Sequence, residues 1–324
     1  MMLFSFLRKT ILSSLFTPLT ATSLILSGCF HPEERLEPQI QIHVQDTYLK
    51  SLPSSLTPLS PMEQKEEWAN ECKIGKGFAK ELDLYQAMTA FKRAAFLLPS
   101  QETTRLLELN YMVCLSYYLG GKYQSVLNQF ELSPLKTTTP LFKPYQDLLV
   151  MLYDSSLQLG KEEKKETLIK YMESYCPLVA DKLLIIEALR TADFPFLLET
   201  QEDHPEIKTV LTGFFQHKKS SSKAQLLNAI LPGSGYLYLN QKQSAITAFL
   251  LNTLFTWGSV YSFQHHNTAL GLILAGFEAG WYFGGIHGVK DEVKLYNERV
   301  YEAYAIPMMN EYKYFPIFML SYGF

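Results

Sequence analysis

The chain has 324 residues, room for about two domains at the usual ~150 residues each. Hydrophobic residues make up 47% and aromatics 14%, with 19% charged, which excludes a disordered polypeptide and leaves ample apolar surface for a core. With 29 Lys+Arg against 32 Asp+Glu the formal charge is −3, so no global basic field recruits nucleic acid, and no nucleic-acid partner is expected.

The first 28 residues read as a secretory signal peptide: Arg8 and Lys9, an apolar stretch over residues 11–26 interrupted by Pro18, then small residues before a cut. The stretch Leu26-Ser27-Gly28-Cys29 resembles the bacterial lipobox. That resemblance implies that the Cys29 sulfur receives a diacylglyceryl group, that the peptide is cut before it, and that the new amino group takes a fatty acyl chain such as palmitate. Several acyl chains anchor a protein firmly where one is marginal. The covalent lipid on Cys29 is the only non-protein group implied, and Phe30, where an Asp would signal inner-membrane retention, directs the expectation to the outer membrane, facing the periplasm. Cys72, Cys114 and Cys176 remain. Three thiols make no complete disulfide framework, so they are expected as small buried hydrophobes, with a single pair as the alternative in an oxidising compartment.

Residues 29–65 carry Pro32, Pro38, Pro53, Pro58 and Pro61 among polar residues, a composition expected to form a lipidated extended tether that packs little. Helical spacing begins near Glu66 and defines a second segment, residues 66–216. With Trp68 as position one of a 34-residue period, Ile74, Gly75, Phe78, Ala87, Phe91, Ala94 and Pro99 match signature positions of a tetratricopeptide repeat (TPR), although Glu71 stands where Trp is usual. Tyr117, Gly121, Tyr123, Val126 and Phe130 fit a second copy after a short insertion. A third is fainter: Leu152, Gly160, Ile169 and Pro177 match, but Lys165 replaces a small residue. Residues 66–180 therefore resemble a degenerate TPR array of two or three repeats, with unsigned helices following. The resemblance implies partner binding through the signature residues Gly75, Phe78, Ala87, Phe91, Tyr117, Tyr123 and Phe130.

Residues 217–304 open on the basic run Lys218-Lys219-Ser220-Ser221-Ser222-Lys223. Residues 244–263 are twenty uncharged residues, and residues 268–289 are broken only by Glu278 and His287, so the segment reads as a membrane-type helical hairpin with His265-His266 at its tip. Leu231-Pro232-Gly233-Ser234-Gly235-Tyr236-Leu237-Tyr238 resembles a group of poorly characterised bacterial membrane domains with an L-P-G-x-G-x-x-Y signature before two spans, from which no activity follows. Gly276, Gly280, Gly284 and Gly288 recur every fourth residue and are expected to pack against the small stripe of Ser244, Ala248, Asn252 and Thr256 on the first helix. Glu278, about half a turn from those glycines, is then expected to face away from the first helix, towards another segment or subunit. Residues 289–304 read as a separate amphipathic helix with Val289, Val293, Tyr296 and Val300 on one side. In the aromatic tail, residues 305–324, Phe318, Leu320, Tyr322 and Phe324 alternate. The pattern resembles the last-strand signal of outer-membrane barrels, but Pro316 interrupts it, and a packing tail or edge strand is expected.

Catalytic patterns are missing. Gly233-x-Gly235 lacks the Lys-Ser/Thr of a phosphate loop and reads as a helix-breaking turn; the seven His are scattered, and no Ser-His-Asp or Cys-His grouping is visible. The sequence thus points to a mainly α, non-enzymatic envelope lipoprotein. Its expected role is that of a scaffold or assembly factor with a protein partner, membrane lipid and self-association through the hairpin as its contacts. The alternative is a membrane component of a transport or channel complex using Glu278. One conflict stands: Lys218, Lys219, Lys223 and Lys242 precede the hairpin and Lys290 and Lys294 follow it, so the positive-inside rule puts its ends in the cytoplasm, whereas lipoprotein export puts them in the periplasm. Either the signal is not cleaved, with the inner membrane as the alternative location, or the hairpin does not span an energised inner membrane. A hairpin in the outer membrane or at an interface satisfies both observations.

Overall fold

In the computed structural model, which describes residues 35–40 and 46–324, the chain is mainly α, and no strand longer than a single bridge occurs among the described residues. The signal peptide and Cys29 lie outside the described residues. After a short helix α1 (Asp46–Ser51) come α2 (Glu67–Lys80), α3 (Leu84–Leu97), α4 (Thr103–Leu119), α5 (Tyr123–Leu132), α6 (Tyr145–Gln158), α7 (Glu162–Tyr175), α8 (Pro177–Thr191) and α9 (Phe194–Thr200).

These eight helices, α2 to α9, form four helix–turn–helix pairs among the described residues, and one turn chemistry joins each pair. Leu82, Gly121, Gly160 and Ala192 adopt positive φ (59°, 65°, 63° and 50°), the left-handed step that ends one helix and aims the chain back along it. Asp83 and Asp193 then cap the returning helix, accepting from the Gln86 and Phe196 amides. The first three joints are thirty-nine residues apart, so the period is longer than the 34 expected from the sequence. The fourth pair carries no signature because its joint is Ala192 and its second helix has only 7 residues.

The array's core is two linked clusters. Trp68, Cys72, Ala87, Phe91 and Met112 fill the first, and Cys114, Leu115, Val126, Leu148, Met151, Leu152 and Met172 the second. Asp147 to Ser156 are all buried: α6 is packed on every side, as its apolar run over residues 148–153 requires. A ladder of Tyr–acid hydrogen bonds ties successive first helices: Tyr118 to Asp154 at 2.7 Å, and Tyr153 to Glu187, which Lys165 also engages at 2.6 Å. Lys165 is therefore an ion-pair anchor. Cys72, Cys114 and Cys176 are free thiols; burial pushes the first two up to about 11 and about 12.

Next come α10 (Pro205–His217), α11 (Ser221–Ile230), α12 (Ser234–Tyr238), α13 (Lys242–Gln264) and α14 (Thr268–Glu311). The L-P-G-x-G run is the joint of this block. A Cβ on Gly233 would lie 2.3 Å from the Ala245 carbonyl oxygen and one on Gly235 2.5 Å from that of Ala224, while buried Asn228 accepts from both glycine amides at 2.8 and 3.3 Å. With 44 residues, α14 is the longest element; its first half pairs with α13, and its second half packs on α10 and α11. Tyr301 locks this second half, its ring edge-on to Phe194 and Phe214 and its hydroxyl donating to the Leu189 carbonyl at 2.8 Å.

Three boundaries differ from expectation. Residues 289–304 are not a separate helix: Val289 and Val293 continue α14 and bury against Ala224 and Leu239. The helix also passes the boundary expected at 304/305 and runs through Pro307. Finally, residues 52–59 are not a loose tether. Leu56 and Ser55 are buried, and Arg105 holds the segment through the carbonyls of Thr57 (2.8 Å) and Pro58 (3.1 Å) while pairing with Glu63 and Glu108.

Candidate functional site

Two features stand out, a groove along the array and an apolar sheath on the hairpin. The groove is the face presented by the first helix of each pair, and two of the chain's own segments lie in it. Residues 52–59 run over α2 and α4, with Lys76 Nζ 2.8 Å from Ser54 Oγ and the Thr57 amide and hydroxyl on Glu108. Residues 314–324 run over α4, α6 and α8, and the two segments meet in a parallel bridge between Ser54 and Gly323. The Ser55 amide donates to the Gly323 carbonyl (3.1 Å), and the Gly323 amide to that of Pro53 (2.8 Å).

Asp147 is the centre of this groove. Its Oδ2 accepts from the backbone amides of Ser321 and Tyr322, both at 2.8 Å. The Tyr111 hydroxyl lies 3.1 Å from the same oxygen and 3.2 Å from the Tyr322 carbonyl, so its single proton serves two acceptors. Burial pushes the Asp147 carboxyl up to about 6, against the pull of these hydrogen bonds. Farther along, the Tyr48 hydroxyl reaches the carbonyls of Phe318 and Leu320, and the Phe324 ring stacks on Phe91 with centroids 6.0 Å apart. The groove thus holds an extended backbone through polar groups and anchors it with rings.

The hairpin is built on small residues. On α13 the seam is Ala245, Ala248, Asn252, Phe255, Ser259 and Ser262, a heptad-type spacing that lets the helices approach closely. Ser259 donates to the Gly271 carbonyl at 3.0 Å, and the Phe255 and Phe277 rings stack at 5.9 Å. The large side chains point outwards: Trp257 is 63% exposed, Leu272 62% and Ile246 59%. Among the described residues, α14 is the one helix long and apolar enough to cross a membrane, with a mean hydropathy of 1.3 over its best window, of which 6% is buried. A core helix of a soluble protein would be mostly buried. The expected first span, α13, has 23 residues but does not reach that apolarity, because Ser, Thr and Asn line its seam.

The glycine row does not pack as expected. A Cβ on Gly276, Gly280 or Gly284 would meet nothing within 4 Å, and one on Gly288 would approach Tyr236 of α12, not α13. Glu278 is the residue that faces α13. Thr256 hydrogen-bonds to it, and its Oε2 is buried without a partner, as is the Oδ1 of Asn252. On α14 the seam runs through Gly271, which meets Phe263, Leu274, which meets Gly258, and Glu278, and the row Gly276, Gly280 and Gly284 falls outside it. Ala248 and Asn252 do lie on the seam, with Asn252 donating back to the Ala248 carbonyl at 2.7 Å.

The TPR-signature residues also stand differently. A Cβ on Gly75 would lie 2.7 Å from the Phe91 ring, and Ala87 and Phe91 are fully buried, so they set helix packing, with Phe91 also meeting the Phe324 ring. Phe78 is 38% exposed and fills no interhelical groove. Tyr117 takes a 2.7 Å hydrogen bond from Lys92, Tyr123 packs edge-on to Tyr118, and Phe130 lies under Lys164. The groove is instead made by Tyr111, Asp147, Arg105 and Glu108. The available signal was an acid inside an apolar helical run, the pattern that singled out Glu278 and that Asp147 and Asp154 share. No cluster of metal-ligating side chains occurs among the described residues.

Comparison with protein-family models, with curated proteins and with solved structures finds no match.

Proposed function

We propose that this chain is a non-enzymatic lipoprotein of the bacterial cell envelope, held by lipid on Cys29 and by its hairpin, whose TPR-like array holds a protein partner at the membrane as a scaffold or assembly factor. The observation that carries this reading is a combination: a helical array whose inner face binds an extended polypeptide segment is joined, through the continuous helix α14, to a hairpin whose largest apolar side chains lie outside. No cofactor beyond the covalent lipid belongs to the reading. The outer membrane, periplasmic side, is the proposed site, and self-association through the open glycine side of α14 fits the same reading. In cells, Cys29→Ser is expected to abolish labelling by a radiolabelled fatty acid and to leave the precursor uncut; persistent labelling would sink the lipoprotein assignment. Co-purification from solubilised membranes is expected to recover a partner through the array.

A second reading rests on Glu278 and Asn252, whose unpartnered oxygens inside the seam suit a membrane component of a transport or channel complex. Under the scaffold reading Glu278→Leu is neutral for solute flux; loss of flux with normal assembly would favour the transport reading.

A further inference from the structure

Residues 314–324 follow the last helix and add no regular element beyond the 3₁₀ turn Pro316–Met319. They leave α14 through Lys313, a non-glycine residue at φ 55°, a conformation that costs free energy and persists only where the surroundings hold it. The polar groups that hold the tail read its backbone. Asp147 takes two successive amides, Tyr111 and Tyr48 reach carbonyls, and residues 53–55 pair with Gly323. Residues 314–319 are held by side chains as well: Tyr314 and Phe315 are buried, the Tyr314 hydroxyl donates to Glu206 at 2.6 Å, and the Phe318 ring lies edge-on to Tyr48. From residue 320 onwards the side-chain anchors are Leu320, buried in the second core cluster, and the Phe324 ring on Phe91, with Tyr322 half-buried beside them. A site that reads backbone and asks for one aliphatic and one aromatic residue is not restricted to a single sequence.

We propose that the tail is a displaceable resident ligand. The groove along α4 and α6 is a docking site for an extended segment of a partner protein, one that offers two successive backbone amides to Asp147, an aliphatic residue just before them and an aromatic residue two positions after them. Residues 320–324 close the groove until such a segment replaces them. This deepens the scaffold reading and rests on it.

The test uses the detergent-solubilised full-length protein and a fluorescent peptide with the sequence of residues 314–324, followed by anisotropy. Tyr322→Pro removes one of the two amides on Asp147 from the protein's own tail and leaves the groove unaltered. That variant is expected to bind the peptide at least about tenfold more tightly than the unaltered chain. A peptide with Pro at the position of Tyr322 is expected not to bind. Equal binding of both peptides, or no binding to a Tyr322→Pro protein that melts cooperatively, overturns the proposal. Should that variant not fold, the pair Ser54→Cys and Gly323→Cys, with Cys176→Ser, locks the tail: peptide exchange into the groove is expected only after reduction, and exchange that ignores the lock overturns the proposal. A natural partner that co-purifies equally with the locked protein overturns groove docking while leaving the scaffold function standing.

Discussion

Asp147 and Arg105 carry two different kinds of buried charge. Burial raises the Asp147 carboxyl from its ordinary 3.8 to about 6, so the folded chain holds a proton that the unfolded chain has already released across that window. Stability tied to this group is fully present below about pH 4 and is lost as the pH rises through about 6, a loss of about 2–3 kcal/mol. Asp147→Asn keeps an oxygen for the tail amides, so thermal melts of the variant are expected to lose the slope between pH 4 and 6; an unchanged slope would remove Asp147 as its source. Arg105 is 8% exposed and binds Glu63, Glu108 and two carbonyls. Arg105→Ala leaves the Glu108 carboxylate buried without its cation and is expected to cost about 3–5 kcal/mol in chemical denaturation, whereas Arg105→Met with Glu108→Leu recovers most of it. The sequence does not single out Arg105 and Glu108, because nothing local announces that residues 52–59 lie on top of them.

Among the elements, α13 and α14 show how a repeat of small residues can mislead. Four glycines in register imply close approach of some helix, but the spacing does not say which. The seam chosen by the fold takes Gly271, Leu274 and Glu278 from α14, so Glu278 meets Thr256 while Gly276, Gly280 and Gly284 stay open. In a background without native cysteines, crosslinking of Thr256→Cys with Glu278→Cys is expected to be efficient and that of Ala248→Cys with Gly280→Cys poor. The reverse would restore a glycine-packed hairpin. The helix pairs were more legible: Gly75, Gly121 and Gly160 mark a close approach and two turns, which only local chemistry decides. The fourth pair was not, since Ala192 in the left-handed region is imposed by its surroundings and leaves no mark in composition.

At the scale of the whole molecule, α14 links membrane-type surface to array. Its second half is clamped where Gly213 meets Tyr304, so closely that a Cβ on Gly213 would lie 2.5 Å from the ring. Gly213→Val is expected to overpack this joint by ~1–3 kcal/mol. Hydrogen exchange should then rise in α10 and over residues 296–311 while α2 to α5 keep their protection. A uniform rise across the array would mean that the joint and the array unfold as one unit.

By itself, the sequence determined the helical class, the order of array and hairpin, and the turns at Gly121, Gly160 and Gly233. These depend on periodicity, on capping residues and on glycine, which act over a few neighbouring positions. Tertiary structure alone decided which side of α14 faces α13, and that residues 52–59 and 314–324 lie in the groove of the array. Those outcomes depend on contacts between different elements, from Thr57 on Glu108, 51 positions apart, to the Tyr322 amide on Asp147, 175 apart. Backbone amides are present in every residue, so no pattern of side chains could have foretold which of them a buried carboxyl would hold.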